Sequence, residues 1–336
     1  MPQSDLFDYF RADAMLRGYH ERWYAEPYEV LAVEAEFRAP IVNPDTDAPS
    51  RTWKLGGKLD VIVRDPLGRK LIVEHKTTSS DAGPGSDYLK RLRLDGQVSI
   101  YFDGASALGH DVDGCIYDVL VKPGIRPLRA TPPESRKYTK DGRLYAAQRD
   151  ADETPEEYFA RLVETIAEDP NRFYLRAEVV RLETELAEAR GDVWALGRQI
   201  QEARLARRYP RNPDACVRYG RTCEYFGVCT GEASLEDPYL FARAETVHPE
   251  LSSNDDQLLT ASRLAVARRC QREHKHRYFD GLRPAVDAEA LRFGSLIHLG
   301  LEAWWKTADH RQRLDAALEA IRPKSQTNEP QEVETW

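Results

Sequence analysis

The chain has 336 residues, 41% of them hydrophobic, with a net charge of −8, enough apolar content to bury one large core or two smaller ones. No apolar run approaches the roughly eighteen residues of a membrane span, and Met1-Pro2-Gln3-Ser4-Asp5 opens no signal peptide, so a soluble, cytoplasmic protein with no membrane partner is expected. The acidic balance argues against nucleic acid as a partner, yet Arg263, Arg268, Arg269, Arg272, Lys275 and Arg277 crowd one stretch and Arg204, Arg207, Arg208 and Arg211 another, which leaves room for a basic channel on an acidic body.

In chain order, residues 6–24 read as a helix, 29–39 as a strand and 43–50 as a Pro- and Asp-rich loop. A hairpin follows at 54–76, closed by Asp65-Pro66-Leu67-Gly68, with Pro and Gly where a type I turn prefers them. Beyond the loop at 79–86, residues 87–107 carry helical spacing, and the close-set apolar residues of 114–122 predict a buried strand. The Pro-, Lys- and Arg-rich run 123–142 is expected as an exposed loop or edge. Thr154-Pro155-Glu156-Glu157 is a helix start. The stretch 176–208, with Val179, Leu182, Leu186, Ala189, Val193, Leu196 and Ile200 at three- and four-residue steps, predicts an amphipathic helix. Residues 252–257 suit a linker, 258–321 a helical region and 323–336 a mobile tail. Alternating strands and helices imply an α/β core.

The chemistry concentrates at the hairpin. It sets Asp60 roughly opposite Val73 and Glu74, and strand alternation puts Glu74 and Lys76 on one face. Two carboxylates suit a hard divalent cation such as Mg²⁺ or Mn²⁺. A lysine beside them can orient water and balance charge on a phosphate. Those parts belong to phosphodiester hydrolysis. Glu34 and Glu36, on the preceding strand, are read as structural.

Five cysteines occur. Cys115, in an apolar strand, reads as a core residue. Cys216, Cys223 and Cys229 cluster, and Cys270 stands apart in a basic stretch. Clustered thiols in a cytosolic chain favour metal ligation over disulfides. Four thiolates suit zinc or an iron–sulfur cluster, and the spacing leaves both open beside unligated structural thiols.

Gly57-Lys58-Leu59-Asp60, Glu74-His75-Lys76-Thr77-Thr78 and Gln97-Val98-Ser99-Ile100-Tyr101, in that order, resemble the PD-(D/E)XK nuclease superfamily. The last element resembles the Gln-x-x-x-Tyr motif of its RecB-like branch, and the cysteine triplet resembles that of phage and bacterial RecB-like exonucleases, including CRISPR-associated ones with an iron–sulfur cluster. The resemblance implies a restriction-endonuclease-like α/β fold, a mixed central sheet flanked by helices, with helical additions. It implies DNA, as single strands or duplex ends, as substrate, and recombination or helicase proteins as candidate partners. Asp60, Glu74 and the His75 carbonyl would meet the metal, with Lys76 as the catalytic lysine and Gln97 and Tyr101 positioning the strand or the lysine. Cys216, Cys223, Cys229 and Cys270 would hold a 4Fe–4S cluster that staples the C-terminal region, zinc being the alternative.

The motif order departs from the family. The cysteine-bearing Ser262–Cys270 segment and the Gly294-Ser295-Leu296-Ile297-His298 helix, whose histidine would bind the catalytic metal, ordinarily precede the core and here follow it. A circular permutation is expected, with a truncated tandem copy or an artificially opened frame as rivals. The implied layout is a nuclease core at 1–130, a cysteine-bearing helical region at 131–250, a completing module at 258–322 carrying Cys270 and His298, and the tail. A catalytically inactive DNA-binding protein of the same fold is the alternative function. A basic–aromatic strip of Lys137, Tyr138 and Lys140 is a candidate for single-strand contact.

Overall fold

The computed structural model describes residues 3–218, 220–252, 255–286 and 289–322; the expected mobile tail lies outside them. The chain divides into two units. One comprises Glu26–Leu120 and Leu175–Arg292, the other Met1–Ala25, Val121–Tyr174 and Phe293–Trp336.

The first of these is built on a sheet in the order β1 (Glu29–Val42), β2 (Pro49–Arg64), β3 (Lys70–Thr78), β4 (Gly114–Val121) and β5 (Tyr174–Val179). β1–β2 and β2–β3 are antiparallel, while a two-residue strand, Leu258–Leu259, runs parallel to β2 at Lys54 and Leu55. The sheet is therefore mixed. Asp65 to Gly68 form the expected turn: the Gly68 amide donates to the Asp65 carbonyl at 2.9 Å, and Gly68 takes φ +84°, which a side chain would resist. Every residue of β4 is buried, as its unbroken apolar run requires.

The helical run expected over 87–107 is two helices, α2 (Asp87–Leu92) and α3 (Gly96–Ala107). The break has a local cause: the Asp95 side chain accepts the Gln97 amide as an N-cap and restarts the helix. α3 then lies close on β1, because Gly104 faces Phe37 at a distance a Cβ could not keep.

The helix expected from 176 begins later. Tyr174–Val179 is β5, and the long helix is Glu183–Ala206; Val179 satisfies the helical step yet joins the sheet, where its buried side chain has partners. The expected helical region 258–321 contains two short strands, Leu258–Leu259 and Leu282–Pro284.

The helical unit contains α1 (Gln3–Trp23), α4 (Pro155–Glu168) and a one-turn α5 (Pro170–Phe173), followed in chain order, past the sheet unit's α6 (Glu183–Ala206), α7 (Phe226–Thr230), α8 (Ala261–Arg269) and α9 (Gln271–His274), by α10 (Glu289–Lys306) and α11 (Arg313–Ile321). α4 opens on a complete Thr154/Glu157 capping box. The Tyr174 hydroxyl donates to the Met15 carbonyl at 2.8 Å, in space that Gly18 leaves open. Tyr19, Trp304 and Trp305 pack edge to face beneath the Arg313 guanidinium. No described helix is long and apolar enough to cross a membrane.

Candidate active site

Val61 pairs with Val73 and Ile62 with Ile72, so one further step brings Asp60 level with Glu74. Both carboxylates are buried, at 9% and 2% exposure. The His75 amide donates to Asp60 Oδ2 at 2.8 Å and fixes that carboxylate against β3. Lys76 Nζ donates to Glu74 Oε1 at 2.6 Å and to Gln97 Oε1 at 2.7 Å. The Gln97 amide nitrogen donates to Glu74 Oε1 at 2.9 Å and to the Tyr101 hydroxyl oxygen at 2.6 Å. Gln97 and Tyr101 are one turn apart on α3, which is why one amide reaches both the carboxylate and the phenol. Beside Gln97 opens a cleft of about 440 Å³ lined by Arg93, Asp95, Arg181, Glu188 and Arg268 among others.

The electrostatics follow from burial. Desolvation pushes the Asp60 carboxyl above its ordinary value, and the Glu34 charge adds to this against the opposing pull of His75 and Lys76. Desolvation works against the Lys76 ammonium, but the adjoining Glu74 carboxylate overrides it, and the lysine is held above its ordinary value. Burial, reinforced by Glu74, keeps the Tyr101 phenol neutral.

The His75 ring points to the other face of the sheet, as expected from strand alternation. Its Nδ1 lies 3.4 Å from Asp118 Oδ2. Asp118, fully buried on β4, accepts from Arg176 at 3.0 Å, and Arg176 also pairs with Glu26. Burial opposes the Asp118 charge, yet Arg176 and His75 drive its carboxyl far below the usual carboxylate range. Asp118 carries no motif, and its one signal in the sequence is a lone acid in an otherwise apolar strand.

Glu34, expected from the sequence to be structural, stands beside the paired carboxylates. Val33 pairs with Val61 and Ala35 with Leu59, which sets Glu34 across from Asp60. It adopts φ +54° and forms an ion pair with Lys58. A left-handed non-glycine in mid-strand costs on the order of 1–3 kcal/mol and clusters at functional sites.

The profile of the PD-(D/E)XK nuclease superfamily matches residues 8–230 and 258–336. The chain belongs to the PD-(D/E)XK nuclease superfamily. No curated protein matches the chain. A solved structure titled "Crystal structure of SSO0001" aligns at 19% identity over 46% of this chain, with a TM-score of 0.21; the chain spans 58% of that chain's length. Nucleases of the superfamily are hydrolases that use divalent metals such as Mg²⁺ or Mn²⁺. The donors present suit them in kind: two buried carboxylates offer hard oxygens, and a cation there would relieve the desolvated Asp60 charge. Among the described residues, no three His, Cys, Asp or Glu side chains close around a single point.

The four outlying cysteines come from separate segments of the sheet unit. Cys216 and Cys223 flank the small hairpin Val217–Thr222, with the Cys223 amide donating to the Cys216 carbonyl at 2.7 Å. Arg211 donates to the carbonyl of Cys229, on α7, and Asn212 donates to the carbonyl of Arg269, next to Cys270. All four thiols are free and half-buried. Desolvation pushes Cys223 up to about 11, with Cys216 and Cys270 close enough to add to it, and raises Cys229 in the same way. The thiols are thus neighbours, though they form no closed ligand set.

The basic stretch 263–277 does not present the continuous cationic face expected of a phosphate channel. Arg263 is wholly buried between Trp53, Tyr278 and Phe279, its guanidinium donating to the carbonyls of Asp256 and Leu258. Arg269 pairs with Glu273 and Lys275 with Asp280, while Arg272 donates to the Tyr209 carbonyl. His298 is half-buried on α10, in the helical unit.

Proposed function

We propose that the protein is a metal-dependent DNA exonuclease of the RecB-like branch, acting on single strands or duplex ends in phage or bacterial recombination or repair. The observation that carries this reading is the Lys76 ammonium, held between Glu74 and Gln97 at the end of a buried hairpin that also bears Asp60. Bound Mg²⁺ or Mn²⁺ supplies an acidified water and a partner for charge on the leaving oxygen. Asp60 and Glu74 would hold the ion; the sequence resemblance adds the His75 carbonyl and His298. Lys76 spends two of its three N–H bonds on Glu74 and Gln97, which leaves the third for the attacking water or a phosphate oxygen. Gln97 fixes the lysine's direction, and Tyr101 fixes Gln97.

Cys216, Cys223, Cys229 and Cys270 are proposed to hold a 4Fe–4S cluster in a structural role, with zinc as the alternative. Their convergence from separate segments supports it. The sequence supports a permuted motif order and a division at about residues 130, 250 and 258.

The test is Mn²⁺-dependent digestion of end-labelled single- and double-stranded DNA by the anaerobically purified chain, Lys76→Ala and His298→Ala. Activity lost in both variants supports the nuclease and the contribution of His298. Loss with Lys76→Ala alone removes His298 from the site. An inactive parent that still binds DNA replaces the proposal with a non-catalytic DNA-binding protein of nuclease fold.

A further inference from the structure

Between β4 and α4 run 33 residues with a single 3-10 turn as their helix or strand, far beyond the dozen or so at which irregular connections become uncommon in compact domains. This one is built. Glu153, 3% exposed, accepts the Leu128 amide at 2.7 Å and two bonds from Arg161. The Tyr158 hydroxyl donates to the Ile125 carbonyl, and Arg136 donates to the carbonyls of Thr131 and Asp150. Gln148 accepts from the Lys137 amide and donates to the Ser135 carbonyl.

On that base stands a small hairpin. Tyr145 N–H donates to the Lys137 carbonyl at 3.1 Å and Thr139 N–H to the Arg143 carbonyl at 2.7 Å; Tyr138 bridges Leu144, and Gly142 turns the tip at φ +74°. Tyr138 and Tyr145 are 55% and 50% exposed, and Lys137, Lys140 and Arg143 are exposed. Arg129 and Arg149, lower down, close ion pairs with Asp152 and Glu157; the tip cations face solvent. Residues 126–149 hold seven basic residues against two acidic ones, a local charge of +5 in a chain of −8. By strand alternation Tyr145 shares its face with Lys137 and Arg143, while Tyr138 stands on the other.

We infer that this hairpin is a binding site for single-stranded nucleic acid, its two tyrosines stacking bases and Lys137, Lys140 and Arg143 taking phosphates. Exposed aromatic rings interleaved with cations are what sequence-tolerant strand binding uses. A duplex keeps its bases stacked on each other and offers the rings no free face. The inference concerns binding alone and does not require the chain to cut DNA.

The experiment measures fluorescence anisotropy of the full chain in EDTA with labelled oligothymidine, oligouridine and blunt duplex, across a salt series. Tyr138→Ala/Tyr145→Ala should weaken single-strand binding about tenfold or more, leave duplex binding unchanged and keep the salt slope, while Tyr→Phe at both positions retains affinity. Lys137→Gln/Lys140→Gln/Arg143→Gln should reduce the slope of log K against log salt by about 2, three contacts at about 0.7 each. Tighter binding of one oligonucleotide assigns the strand as DNA or RNA. A parent that binds no single strand, variants that bind like the parent, or a duplex weakened as much as the single strand by the tyrosine changes would each overturn the inference. Activity of Lys76→Ala is read separately, so failure of the nuclease proposal leaves this result standing.

Discussion

Gln97→Ala isolates the residue that aims the lysine. Gln97 makes three bonds in the site, to Lys76, Glu74 and Tyr101, and two of the partners are charged. A hydrogen bond to a charged group contributes about 1.5–3 kcal/mol. Lys76 keeps Glu74 after the change, at 2.6 Å, so it stays protonated and local, and part of the loss is recovered. A net loss of about 2–3 kcal/mol in positioning corresponds to a fall in kcat of about 30- to 160-fold. KM for DNA should move less than about twofold, because the lost contacts are within the protein. Gln97→Glu should be at least as damaging. It keeps an acceptor for Lys76 but replaces the donor at 2.9 Å from Glu74 with a second negative charge. The assay is steady-state release of labelled nucleotide at saturating Mn²⁺. Retention of more than half the parental kcat by Gln97→Ala would refute the reasoning, since the lysine would then be aimed without Gln97.

Glu34→Gly should raise the melting temperature or leave it unchanged while lowering nuclease activity; glycine relieves the φ +54° backbone, and the Lys58 pair, partly exposed, returns little. A fall in both stability and activity would count against strain stored at the site. His274 is fully buried, and desolvation with the adjacent Arg263 lowers it to about 3. The unfolded chain therefore takes up a proton near pH 6.5 that the folded chain refuses, so stability falls as pH drops from 6.5 toward 3, by up to about 1.4 kcal/mol per unit for this group. Urea midpoints at pH 7.5 and 5 should converge on a smaller acid loss in His274→Gln; equal losses in parent and variant would assign the sensitivity elsewhere. Cys223→Ser should abolish the anaerobic visible absorbance expected of a cluster and lower thermal stability, whereas Cys115→Ser should leave the absorbance intact. A colourless parent that carries zinc by metal analysis would replace the cluster with zinc.

What the sequence determined by itself was local. Asp65-Pro66-Leu67-Gly68 specifies its turn through φ preferences, and once the turn is placed the period of two decides that Glu74 and Lys76 share a face with Asp60 alongside. The four-residue step from Gln97 to Tyr101 likewise places both on one side of a helix, whatever packs there. Other features depended on partners far along the chain. Val179 fits a helical and an extended period equally, and only the neighbouring strand made it β5. Arg263 looks like one more cation in a basic run, but Trp53, Tyr278 and Phe279 take it out of solvent, and the carbonyls of Asp256 and Leu258 make that burial tolerable. Asp118 meets Arg176 58 residues away and His75 across the sheet. Glu34 becomes a neighbour of Asp60 because the β1–β2 register sets it there. Charge in a buried sheet is stable only where partners converge, and that convergence is a property of the tertiary structure.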